Sequence, residues 1–175
     1  MTYVRSKKIL LIIVIILLLG VAFWYLVSTR QSTVRPKVAG VSYSLSPASA
    51  TKQVGDNLDL SVTLNSGTNN VSFVDFTLNY DQSILEVSSF TTVSALNTVI
   101  VNQPDNKTGK FRFVAGNNSN NPVRGNINVG TVHFRVKGAG NAKVNLVSNE
   151  VTVRTNPPSD VNVSVASGTY LLKNK

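Results

Sequence analysis

The stretch "SFVDFTLNYDQSILEV", residues 72–87, alternates in character: Val74, Phe76, Leu78 and Tyr80 are apolar, while Asp75, Thr77 and Asn79 between them are polar. Successive side chains of a strand point to opposite faces, so a period of two marks a strand with one dry and one wet face. The polar "DQS" that follows is a turn signal, and Leu85 opens the next strand. Asp75 is unusual in mid-strand, where β-propensity disfavours it. A lone buried carboxylate would be costly. Asp75, Thr77 and Asn79 are therefore expected on the outer face, meeting either water or a partner.

The same alternation extends outward in both directions. Val41, Tyr43 and Leu45 show it, as do Leu58, Leu60, Val62 and Leu64. Further strands are expected at 85–90, 96–101, 110–114, 130–136, 143–147, 150–154, 161–165 and 169–172. Turn signals separate them at Gly55, Gly67, Asp105 to Gly109, Gly138 to Gly140 and Pro157-Pro158. No stretch of ten residues keeps a helical period. The reading is all-β: a jelly-roll β-sandwich of about nine strands, each sheet solvated on one side. The Asn-rich segment from Gly116 to Asn128 is the best candidate for a long functional loop.

Residues 9–27, "ILLIIVIILLLGVAFWYLV", carry no charge. As a helix they would span roughly 28 Å at about 1.5 Å per residue, which matches a bilayer interior. Trp24 and Tyr25 would sit at its interface. The apolar run is longer than a secretory signal core, and no small-residue cleavage site follows closely, which favours an uncleaved signal anchor. The expected organisation is a cytoplasmic tail at 1–8, a transmembrane segment at 9–27, a basic linker at 28–40 and a β domain at 41–173 outside the cell membrane.

The formal charge of +9 belongs mostly to that N-terminal segment. From Val38 onward 11 of the 17 basic residues face all 8 acids, a balance of +3. A nucleic-acid partner needs a basic face on the folded domain and is not expected. With no Cys there is no thiolate metal site, thiol nucleophile or disulfide framework. The one His, at 133, should face outward between Val132 and Phe134. Alone, it is not expected to build a zinc site or a Ser-His-Asp triad. The acids are scattered, and Asp56 and Asp59 lie in no D-x-D-x-D-G loop. No enzyme activity, cofactor or metal is expected.

The segments "VGDNLDLSVTLN" (54–65), "VDFTLNYDQSILEV" (74–87), "GKFRFVAG" (109–116) and "GTVHFRVKGAGNAKVNL" (130–146) together resemble a cohesin domain. The "DFxLxYDxxxLEV" core around Asp75 is the most specific piece. The resemblance implies a β-sandwich that captures dockerins, calcium-loaded modules of polysaccharide-degrading enzymes, and that does no chemistry itself. It matches Asp75 to an acid of the family's recognition sheet. Phe73, Thr77 and Asn79 are the neighbours of Asp75 by period two, and Lys110 and Arg112 of "KFRFVAG" belong to the same sheet. Phe73 and Arg112 depart from the residue types familiar there in cellulosomal cohesins. The acid that usually follows the second strand is missing around Ala115 and Gly116. The leading expectation is a surface-anchored module that binds a dockerin-like or other surface protein. Direct polysaccharide binding and a structural or adhesive role are the alternatives. The first of these is weakened because the only Trp, at 24, lies in the apolar run.

Overall fold

Alternation from Val41 onward is realised as twelve strands in two sheets: β1 (Val41–Ser46), β2 (Ser49–Gln53), β3 (Asn57–Asn65), β4 (Val71–Tyr80), β5 (Leu85–Thr92), β6 (Thr98–Asp105), β7 (Lys110–Gly116), β8 (Asn126–Val136), β9 (Gly140–Leu146), β10 (Thr152–Thr155), β11 (Val163–Val165) and β12 (Ser167–Lys173). This computed structural model describes Leu18 and residues 40–175, apart from 94–95, 119 and 159–160. The expected tail at 1–8, span at 9–27 and linker at 28–40 lie outside the described residues, Leu18 and Gly40 excepted.

The five-stranded sheet runs β11-β1-β3-β8-β5, and the seven-stranded sheet runs β2-β12-β9-β4-β7-β6 with β10 paired to β4. The count exceeds the expected nine: β10 and β11 fall on the stretches read as strands at 150–154 and 161–165, and β2 is the strand that alternation did not mark. β2, "SATKQ", has no large apolar residue, so a period of two had nothing to mark. It is held instead by parallel pairing with β12. β10 and β11 are four and three residues long.

Between the sheets lies one apolar core. Tyr43, Phe76, Phe111, Phe113, Phe134 and Tyr170 are fully buried in it. The expected inward set of β4, Val74, Phe76, Leu78 and Tyr80, is buried as a group. Its rings meet those of both sheets: Phe76 lies 5.6 Å from Phe113, and Tyr80 lies 5.1 Å from Phe134 in an edge-on contact. Tilted and edge contacts of this kind add to the stabilisation from area alone.

Two local devices fix the geometry of the outer faces. The β6–β7 hairpin turns at Asp105–Gly109, as the sequence signals. Asp105 Oδ1 accepts from the Lys107 and Thr108 amides, its Oδ2 accepts from the Thr108 hydroxyl, and Gly109 takes φ 68°. These donors hold the Asp105 carboxyl below its usual range, the Thr108 hydroxyl most of all. Asn106, at the tip, then clamps β5: its amide accepts from the Val87 N–H and donates to the Val87 carbonyl, both at 2.9 Å. Immediately after Val87 the β5–β8 register shifts, with Ser88 as the extra residue.

The segment from Gly116 to Asn128 is less free than expected of a functional loop. Val71 and Val123 exchange backbone hydrogen bonds of 2.7 and 3.0 Å, and the Asn117 N–H donates to the Ser72 carbonyl. The segment is thus stitched to the start of β4.

Candidate binding face

β4 is central in its sheet, with β7 on one side and β9 and β10 on the other. The registers define rows across the outer face. Phe73 stands between Gly116 and Arg154, and Asp75 between Val114 and Thr152. Thr77 is opposite Arg112, and Asn79 lies between Lys110 and Asn145. All six residues singled out from the sequence, Phe73, Asp75, Thr77, Asn79, Lys110 and Arg112, therefore belong to one face.

They do not form the open polar strip that alternation implied. Arg112 reaches diagonally to Asp75 and grips it with both arms: Nε–Oδ1 is 3.2 Å and Nη2–Oδ2 is 2.8 Å. Such fork-to-carboxylate contacts fix direction as well as charge. The Asp75 side chain is only 19% exposed, whereas that of Arg112 is 55% exposed. Hydrogen bonding to Asp75, with the attraction of its charge, raises the Arg112 pKa further. The puzzle of a mid-strand carboxylate is resolved by a cross-strand partner rather than by water alone.

Thr77 is a correction. It was expected on the wet face and is 5% exposed. The chain after β9 passes beside it, with the Val147 N–H donating to the Thr77 carbonyl, before a 3-10 turn at Ser148–Glu150. Asn79 is half-buried, and its side-chain oxygen is enclosed with no hydrogen-bond partner among the described residues. These two positions line the floor of the face and are not contacts on its surface. Lys110 is exposed and pairs with Glu150 at 3.3 Å.

Sequence reasoning missed the contribution of Glu150 and β10. The Arg154 guanidinium lies 5.7 Å from the Phe73 ring centroid, a cation–π contact that covers part of the exposed aromatic. Nothing in the local pattern of "NEVTVRT" announces this, because β10 reaches β4 only through long-range pairing. Three cations thus stand on this face, Lys110 and Arg112 on β7 and Arg154 across β4 on β10, each set against a specific neighbour.

The opposite, five-stranded sheet holds a second polar cluster. His133 faces outward as expected. Its Nδ1 is 2.8 Å from Asp59 Oδ1, and its Nε2 is 3.0 Å from Thr91 Oγ1. Asp59, His133 and Thr91 thus form one chain of hydrogen bonds across three strands. Among the described residues no group of three or more His, Cys, Asp or Glu side chains could hold a metal ion.

Comparison with known proteins accords with this architecture. The family model of the cohesin domain matches residues 43–171. A search of curated proteins found no match. Among solved structures, CaCohA2 from Clostridium acetobutylicum is similar at TM-score 0.64 and 17% identity, covering 77% of this chain and 92% of that one. A type I cohesin–dockerin complex from Clostridium thermocellum matches at TM-score 0.66 and 10% identity, covering 78% and 96%. A non-cellulosomal cohesin from the archaeon Archaeoglobus fulgidus matches at TM-score 0.59 and 18% identity, covering 77% and 91%. At these identities the structures speak for the fold, and the family model, which spans most of the chain, speaks for the family: this chain belongs to the cohesin domain family.

Proposed function

We propose that this chain is a cell-surface-anchored cohesin module that captures a dockerin-type protein partner on the outer face of its seven-stranded sheet. The carrying observation is the Asp75–Arg112 fork beside Phe73, on the strands that the family resemblance singles out. A bidentate pair presents a fixed guanidinium edge, and Phe73 with Arg154 presents a ring and a second cation. Aromatic and Arg side chains held in this way are the common anchors of protein interfaces. A partner offering carboxylates or backbone carbonyls toward Arg112 and Lys110, and an apolar niche for Phe73, fits this face. The known complex from Clostridium thermocellum supports a dockerin as the class. Polysaccharide degradation would be the partner's contribution.

The uncharged run at 9–27 supports an anchor in the cell membrane, with the β domain outside. One experiment tests both parts. Cells producing the chain are incubated with labelled, calcium-loaded dockerins from the same source and washed. Intact cells should retain a dockerin. Phe73→Ala together with Arg112→Ala should lower its retention by roughly 30-fold or more, equivalent to about 2 kcal/mol. Deleting residues 9–27 should abolish retention at the cell surface. Equal capture by the double variant would place the partner on another face, and undiminished cell-surface capture without 9–27 would remove the anchor.

A further inference from the structure

The five-stranded sheet carries a face that the binding proposal does not use. Every outward residue of its strands is polar: Ser42, Ser44 and Ser46 on β1, Ser61 and Thr63 on β3, and Asn128 and Thr131 on β8 belong to it. At one place three neighbouring strands converge on a chain of hydrogen bonds. Asp59 of β3 is directly opposite His133 of β8, and Thr91 of β5 lies diagonally across from it.

The proton positions follow from the partners. A carboxylate only accepts, so His133 Nδ1–H donates to Asp59 Oδ1 at 2.8 Å. In the neutral ring, Nε2 then accepts from the Thr91 hydroxyl at 3.0 Å. This is the order of nucleophile, base and orienting acid that activates a hydroxyl. Thr131 is directly opposite Thr91, and Ser61 is directly opposite Thr131, with their hydroxyls 3.3 Å apart. Ser61 is one strand further away, so a single donor, the Thr131 hydroxyl with its proton free when Ser61 donates to it, stands beside the nucleophile, where an oxyanion could be met. The register shift at Ser88 keeps Phe90 in the core, 4.5 Å from the Phe113 ring, and leaves Thr91 exposed beside His133. Bulges re-aim side chains in this way.

We propose that Thr91, His133 and Asp59 form an acyl-transfer site that takes small activated acyl esters. Thr91 Oγ attacks the acyl carbon and forms a new C–O bond, and its proton passes to His133 Nε2. Collapse of the tetrahedral adduct breaks the bond to the leaving oxygen, which takes that proton. The acyl group then sits on Thr91 as an ester. Water, deprotonated by Nε2, releases it as the acid and restores the hydroxyl. Thr91 and His133 are the catalytic residues, and Asp59 is a positioning residue that fixes the imidazole tautomer. The face offers no apolar outward side chain, so a short acyl group is accommodated and a fatty one is not.

The test uses the full chain and p-nitrophenyl acetate, with peptide mapping of acetylated sites and release of p-nitrophenolate as the two readouts. Acetyl should appear on Thr91 ahead of the lysines. Thr91→Val should abolish that adduct, and Thr91→Ser should keep it. His133→Gln should slow its formation by roughly 10²-fold or more. Asp59→Asn should slow it too, with partial rescue by Asp59→Glu, which a merely structural role would not show. Acetylation confined to lysines, or an unchanged Thr91 adduct in His133→Gln, overturns the proposal.

Discussion

At the scale of single residues, the outer faces depend on what lies directly beneath them. Gly130 of β8 is paired with Thr92 and faces inward. A Cβ there would run into the Phe90 ring and the Thr91 backbone. The absent side chain is what lets Phe90 reach the Phe111 and Phe113 rings at 5.1 and 4.5 Å. Close packing tolerates no extra methyl without a shift of neighbours. Gly130→Ala should therefore destabilise by about 1–3 kcal/mol, the usual range for overpacking. Urea unfolding checks the size. The cause is checked by a double-mutant cycle with Phe90→Ala, which removes the obstructing ring. The two losses should fall short of adding; full additivity would mean that Gly130 and Phe90 do not compete for the same space.

At the scale of elements, β5 shows how a strand keeps phase through an irregularity. Val87 is buried, Ser88 and Ser89 are both exposed, and Phe90 turns inward again. Strict alternation from Val87 would have sent Phe90 to solvent and Thr91 inward. Residues 85–90 form a strand as alternation implies, but its phase after Val87 is not legible in the sequence. Two polar residues in succession look alike whether they form a bulge or a strand end. The long-range partner, β8, and the Asn106 clamp on Val87 decide between them. Shortening "VSSF" by one Ser should preserve the inward Phe90, because the bulge residue is simply removed. The Ser88 hydroxyl bond to the His133 carbonyl, at 2.8 Å, is all that is forfeited. That costs about 1 kcal/mol. Removing both serines inverts Phe90 and Thr91 and should cost about 3–5 kcal/mol, comparable to losing a buried Phe. Thermal unfolding of the two deletions separates these outcomes. A similar loss from each would show that the phase of β5 is not set at Ser88.

At the scale of the whole molecule, what was legible in the sequence is what local patterns encode. The sandwich, the dry face of β4 and the hairpin at Asp105–Gly109 follow from periodicity and turn chemistry. The grouping of Phe73, Asp75, Lys110 and Arg112 followed from the family resemblance, but their pairing did not. The Asp75–Arg112 fork and the Arg154 contact on Phe73 join residues of different strands, and the burial of Thr77 comes from a segment that arrives some seventy residues later. The same long-range closure seals three tyrosines, with a consequence for the whole domain. Burial first, then the charges of Asp105 and Glu86, pushes Tyr80 up to about 12. Burial alone pushes Tyr170 to about 12, and it raises Tyr43 as well. Their hydroxyls donate inside the fold where a partner exists, Tyr80 to Asn106 Oδ1 at 2.6 Å and Tyr170 to the Pro47 carbonyl at 2.8 Å. In the unfolded chain a tyrosine ionises near pH 10. Above that pH the folded chain binds more protons than the unfolded one, so stability falls as pH rises. The contribution is fully present below about pH 10 and is lost progressively through about pH 12. The urea midpoint should hold level to near pH 10 and then decline. Tyr170→Phe keeps the ring and lacks the ionisable group, so its decline should be shallower. A midpoint unchanged between pH 9 and 11.5 would show that these hydroxyls ionise as freely in the folded domain as in the open chain.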